Sequence, residues 1–235
     1  MDFRTRLLRT LRAIQPVLNE QGILVAGSEV PNLLQPGSLA TLVVSQDVDI
    51  AVPVERHTAV KARLRGVKDL ARSEEEPSVW LPHSPELLEV NFIGMDTGDR
   101  AGETYVLEDP ELPLLVFANL SLLRTGRVLA VEDLSIPIPR LAGLMLEKLI
   151  TDRSGEKGDR DLLVALALFL TCDTSDLDEL RMLYRGLSPE LRYAARSGLG
   201  TLSLLEPRSQ MPDPVPHRAL VAEVLATLER MEHVP

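Results

Sequence analysis

The chain has 235 residues, of which 45% are apolar, so it can bury one large core or two small ones. Its formal net charge of -10 argues against a protein that coats nucleic acid non-specifically, because phosphate binding needs a positive surface. A single cysteine, no apolar run of about 18 residues and no recognisable signal peptide predict a cytoplasmic protein without a membrane span.

The first half of the chain alternates predicted helices and strands. Apolar residues recur at helical spacing over 3–19, and the run 22–26 predicts a buried strand that stops at the turn Gly27-Ser28. A short helix is expected over 29–34 and a basic one over 55–70. Further strands are expected over 41–44, 48–52, 79–81 and 87–93 and as a pair within 127–136, with an excursion or hairpin over 94–112.

From Pro139 onward the pattern is helical almost throughout. Helices are expected over about 140–153, 159–171, 175–186, 188–204 and 216–232. Because strands with helices give way to helices alone near residue 138, we predict an α+β protein with domains at 1–138 and 139–235.

Two aspartates carry the clearest chemical signal. In Asp47-Val48-Asp49 the carboxylates occupy alternate positions of a strand and therefore point to the same side. Two carboxylates held close together repel each other unless a cation lies between them, and Mg²⁺ prefers such oxygen ligands. An exposed strand edge carrying two aspartates is the alternative interpretation.

Two neighbouring features add to this signal. The turn Gly27-Ser28 has no large side chain, so phosphate oxygens could approach its backbone N–H groups and the Ser28 hydroxyl, although it also suits an ordinary strand-to-helix turn. Glu89 lies in an apolar strand, where a carboxylate needs a partner or a metal ion. An amphipathic strand with Glu89 and Asn91 on its solvent face is the alternative.

Together these features resemble the nucleotidyltransferase (polymerase-beta-like) superfamily, in which Gly-Ser, an Asp-x-Asp pair and an acid on a later strand follow in this order. The segment 141–163, which includes Lys148, Arg153, Lys157 and Asp161, is similar to a helical motif of abortive-infection and toxin-type nucleotidyltransferases. The resemblance spans residues 22–170. It implies a small mixed β-sheet nucleotidyltransferase domain flanked by helices, followed by an all-helical C-terminal domain.

The resemblance also implies roles and ligands. Asp47, Asp49 and Glu89 would form a catalytic, metal-binding set for Mg²⁺ or Mn²⁺, and Glu89 could deprotonate an acceptor hydroxyl. Nucleotide-binding residues would be Gly27, Ser28, Lys148, Arg153 and Lys157. The enzyme would transfer a nucleoside monophosphate from an NTP to RNA, a protein or a small molecule, and a toxin would have an antitoxin partner.

Some positions depart from the family pattern. The interval from Ser28 to Asp47 is long, and Val44, Ser45 and Gln46 stand where an Arg and a Thr are common. These departures favour a second hypothesis, a catalytically degenerate module that binds nucleotide or a partner on the same fold.

Overall fold

The computed structural model describes residues 2–34, 47–151, 155–207 and 213–232. Within these ranges a mixed sheet with helices is followed by helices alone, which confirms the predicted α+β class. The strands are, in chain order, β1 (Leu24–Ala26), β2 (Asp47–Pro53), β3 (Leu70–Arg72), β4 (Val79–Pro82), β5 (Glu89–Met95), β6 (Tyr105–Leu107), β7 (Leu114–Val116), β8 (Thr125–Val131) and β9 (Leu134–Pro139). The helices are α1 (Phe3–Ala13), α2 (Gln15–Leu18), α3 (Glu29–Leu34), α4 (His57–Leu64), α5 (Leu141–Ile150), α6 (Gly155–Phe169), α7 (Thr174–Arg185), α8 (Pro189–Leu204) and α9 (Arg218–Glu232).

The main sheet is built around two parallel strands, β2 and β5. Strand β1 pairs antiparallel with the free side of β2, so its last residue, Ala26, lies opposite Asp49. The other side of β5 is shared by β4 and β7, and β3 and β6 extend the sheet beyond them. Strands β8 and β9 form a separate hairpin, whose second strand packs against β1. This order brings the start of both parallel strands next to the turn after β1.

Two predicted helices differ from the observed ones. The helix expected over 3–19 is broken, because α1 ends at Ala13 and Pro16 lies in the first turn of α2, where a proline cannot continue the preceding hydrogen-bond ladder. The helix expected over 55–70 ends at Leu64, just before Gly66, and the sequence prediction missed the short edge strand β3. The strand expected over 41–44 lies outside the described residues.

The change from strands to helices falls where the sequence predicts it, since β9 ends at Pro139 and α5 begins at Leu141. Every residue of α5 is buried, and this helix packs against α6, α7 and α8. Buried apolar side chains from both sides of the change form one cluster, and the division at residue 138 stays a prediction.

Helix α6 begins at Gly155 rather than at residue 159, where the sequence pattern predicts its start. In the described ranges, no helix is long and apolar enough to cross a membrane.

Candidate functional site

The predicted acids lie at the start of the two parallel strands. In β2 the side chains of Asp47 and Asp49 are partly exposed, whereas Val48 between them is fully buried. The parallel register sets Asp47 opposite Glu89 and Asp49 opposite Asn91. Residues paired in this way point to the same face of a sheet. The structure therefore brings Glu89 to the face that carries both aspartates.

Asn91 joins the two aspartates. Its Nδ2 donates hydrogen bonds to Oδ2 of Asp47 at 2.7 Å and to Oδ1 of Asp49 at 3.4 Å. The pKa of Asp49 is raised to about 6, mainly by burial and to a smaller extent by the charge of Asp47. The charge of Lys148 and the hydrogen bond from Asn91 act in the opposite direction. Burial raises the pKa of Glu89 as well, with a further contribution from Asp47. Ionising all of these carboxylates together is therefore costly without added positive charge.

The turn after β1 lies directly against this pair. Gly27 has a φ of +98°, and a methyl group there would lie 2.7 Å from Oε2 of Glu29 and 2.8 Å from Oδ2 of Asp49. Glycine is required both for the backbone conformation and for the space. The neighbouring Ser28 is buried, and its hydroxyl donates to Oε1 of Glu29 at 3.1 Å. The hydroxyl predicted to contact phosphate is thus directed at Glu29.

Glu29 is a residue of this site that sequence reasoning missed. It is the first residue of α3 and only 1% exposed. Burial raises its pKa well above the usual value, and the charge of Asp49 adds to the effect. The available signal was an acid directly after Gly27-Ser28 and before an apolar helix, a position where a carboxylate becomes buried when the helix packs.

Lys148 is buried in α5 and held by carboxylates. Its Nζ lies 3.0 Å from Oε2 of Glu147 and 3.5 Å from Oδ1 of Asp161 on α6. Burial by itself would lower the pKa of Lys148, but the charges of Glu147, Asp161 and Asp49 together raise it above its usual value. These contacts give Lys148 a structural role between α5 and α6, in addition to the nucleotide contact predicted from the sequence.

Except for Glu29, which is buried behind Gly27 and Asp49, these groups border one cleft, with a volume of about 790 Å³, between the sheet and helices α5 and α6. Of the predicted site residues, the structure brings the following to its wall: Gly27, Ser28, Asp47, Asp49, Glu89, Lys148 and Lys157. Arg153 lies outside the described residues. Arg160 lines the cleft together with Lys157, and Glu76 and Ser78 line it near Glu89. The cleft therefore carries basic side chains at α6 and acidic ones along the sheet.

The oxygen atoms at this site suit a hard divalent cation. Mg²⁺ is usually bound by one or two carboxylates together with waters and substrate phosphates. Oε2 of Glu29 and Oδ1 of Asn91 are buried and have no hydrogen-bond partner among the described residues. In the same part of the chain, no group of three or more His, Cys, Asp or Glu side chains is arranged to hold a metal ion. The residues fit an Mg²⁺ that keeps waters or phosphates, without forming a closed protein cage.

Comparison with known proteins gives few matches. No protein-family model matches the chain, and no curated protein matches it. The chain is similar to the solution structure of the antibiotic-resistance factor ANT(2'')-Ia, with 11% identity and a TM-score of 0.41 over 83% of this chain and 96% of that one. A likeness at this level assigns neither a reaction nor a substrate to this chain.

Proposed function

We propose that this protein is a metal-dependent nucleotidyltransferase that moves a nucleoside monophosphate from an NTP to an acceptor hydroxyl. The observation that carries the proposal is the register of β2 and β5, which sets Asp47 and Asp49 on the same face as Glu89. These acids border a cleft of about 790 Å³ next to the glycine turn. Paired acids beside a turn open to phosphates are what this reaction requires.

Each group has a role in holding the nucleotide. Asp47 and Asp49 bind a divalent cation, Mg²⁺ or Mn²⁺. When bound, the cation stabilises negative charge on the α-phosphate and on the departing pyrophosphate. Gly27 and Ser28 line the cleft, and their backbone N–H groups are the ones offered to the phosphates. Lys157 and Arg160 line the same cleft and neutralise the remaining phosphate charge.

Glu89 acts on the acceptor. Its raised pKa brings it closer to the range in which a carboxylate accepts a proton efficiently. The carboxylate takes the proton from the acceptor hydroxyl as the oxygen attacks the α-phosphorus. The new bond joins this oxygen to phosphorus, and the bond between the α-phosphorus and the bridging oxygen breaks. Pyrophosphate leaves with the bonding electrons.

Labelled NTPs test the reaction directly. The full-length protein is incubated with Mg²⁺, a cell extract and each NTP, labelled either on the α-phosphate or on the γ-phosphate. Nucleotidyl transfer moves the α-label to an acceptor and leaves the γ-label in pyrophosphate. Whether the label is found on RNA, protein or a small molecule identifies the acceptor class. Transfer of the γ-label would instead indicate a phosphoryl transferase and would contradict the proposal.

Variants assign the activity to the site. Asp47→Asn and Asp49→Asn keep the side-chain size and remove the charge, so transfer should fall by about a hundredfold or more. Asp99→Asn is the matched control, because this aspartate is exposed outside the cleft. Equal transfer by the wild type and the Asp49 variant would exclude this site.

A degenerate nucleotide-binding module is the second candidate. It is favoured by the Ser28 hydroxyl, which donates to Glu29, and by Lys148, which is held by two carboxylates. This function predicts that the wild-type protein binds a non-hydrolysable NTP analogue in equilibrium dialysis and transfers no label with any NTP.

A further inference from the structure

The buried carboxylate of Glu29 is left incomplete by the fold. Ser28 donates a hydrogen bond to Oε1, whereas Oε2 is buried and has no hydrogen-bond partner among the described residues. A buried oxygen of this kind normally costs free energy, because water is removed and nothing replaces it. With 1% of its surface exposed, Glu29 has no direct access to bulk solvent. The side chain therefore needs a proton or a cation at Oε2.

The unpartnered oxygen lies near Asp49. The position that a methyl group on Gly27 would take lies 2.7 Å from Oε2 of Glu29 and 2.8 Å from Oδ2 of Asp49. The two carboxylate oxygens therefore border the same small space beside the glycine turn. This arrangement is independent of the register that brings Glu89 to Asp47.

The charges around this space are mostly negative. Asp47 and Asp49 both raise the pKa of Glu29, in addition to the effect of burial. The positive charge that acts on Asp49 is that of Lys148, whose ammonium group is also paired with carboxylates of α5 and α6. Asn91 contributes a second buried oxygen with no partner among the described residues, next to both aspartates. A cation beside Asp49 would satisfy the unpartnered oxygen of Glu29 and offset the negative charge around it.

We propose that Glu29 is a ligand of the divalent cation of this site, shared with Asp49, and that Glu89 is not needed to bind the cation. The inference rests on the proposed function for the kind of cation, a hard ion such as Mg²⁺ or Mn²⁺. Asp47, Asp49 and Glu29 do not form a closed three-residue metal site among the described residues, so waters and substrate phosphates would complete the coordination of the cation.

Direct titration with Mn²⁺ tests the assignment, with calorimetry on the full-length protein and no nucleotide present. Glu29→Gln keeps the shape of the side chain and should weaken Mn²⁺ binding by about tenfold or more. Glu89→Gln should bind Mn²⁺ within about threefold of the wild type and lose nucleotidyl transfer. Glu76→Gln, which removes another acid from the same cleft, is the control for a general effect of charge.

Thermal unfolding in EDTA checks that Glu29→Gln is folded. Removal of a buried, incompletely bonded charge should leave the metal-free variant at least as stable as the wild type. If Glu29→Gln does not fold, Mn²⁺ binding by Glu89→Gln tests the inference instead. Mn²⁺ affinity like that of the wild type in Glu89→Gln supports the inference, because this variant lacks the competing third acid. A tenfold loss of affinity overturns the inference.

The remaining outcomes separate the inference from the proposed function. Equal Mn²⁺ affinity in Glu29→Gln and the wild type overturns the inference, even if the wild type transfers nucleotide. Absence of Mn²⁺ binding by the wild type also overturns it. If Glu29→Gln alone loses Mn²⁺ binding while the wild type transfers no label, the cation site stands and the proposed reaction fails.

Discussion

Replacement of Gly27 by alanine tests the packing of the site through stability alone. The backbone there has a φ of +98°, and a left-handed conformation costs a residue with a Cβ atom roughly 1–2 kcal/mol. The new methyl group would also approach Glu29 and Asp49 to 2.7 Å and 2.8 Å. Both oxygens belong to side-chain ends that can shift, but Glu29 is buried, so we add about 1–2 kcal/mol for overpacking. The unfolding free energy should therefore fall by about 2–4 kcal/mol in total.

Gly102 provides the matched control. It has a similar φ of +88°, and a methyl group there meets nothing within 4 Å. Gly102→Ala should cost only the roughly 1–2 kcal/mol of backbone strain. Urea denaturation of both variants, followed by circular dichroism, measures the difference. If Gly27→Ala loses no more stability than Gly102→Ala, the close approach of the two carboxylates to Gly27 is wrong.

Three further predictions concern pH and packing. In metal-free protein, the pKa of about 6 for Asp49 means that the folded state holds this proton more tightly than the unfolded state. Unfolding free energy should thus decrease by on the order of 3 kcal/mol as pH rises from about 3 to about 7, and urea titrations should show a smaller decrease in Asp49→Asn. Lys148→Met should lose about 3–5 kcal/mol, because it removes the cation that lies between the buried carboxylates of Glu147 and Asp161, and unchanged thermal stability would contradict the structural role. A methyl group on Gly198 would lie 2.5 Å from the carbonyl oxygen of Leu149, whereas one on Gly200 meets nothing within 4 Å. Gly198→Ala should destabilise the protein by about 1–3 kcal/mol and Gly200→Ala should stabilise it by about 0.5–1 kcal/mol in the same assay, and the same sign for both would refute the contact between α5 and α8.

Local pattern determined much of the architecture. The strand before Gly27, the helix over 29–34 and the strand pair expected within 127–136 were predictable, because apolar periodicity and turn residues act over a few neighbours. Asp47 and Asp49 were predictable as a pair on one face for the same reason, since alternation along a strand is a local property. Errors arose where a proline broke the first helix and where a short edge strand had little pattern of its own.

Only the tertiary structure decided which distant groups meet. The sequence identified Glu89 as a candidate acid, but it is the parallel pairing of β2 with β5 that brings Glu89 opposite Asp47. The position of Glu29 after Gly27-Ser28 was its one local signal, because its chemical character comes from burial and from the charge of Asp49, which follows it by 20 positions. Lys148 could be read as a free phosphate contact until the packing of α5 against α6 surrounded it with carboxylates. Strand register and burial depend on the whole chain. The sequence alone therefore identified the Asp47 and Asp49 pair, and the fold determined which carboxylates surround it.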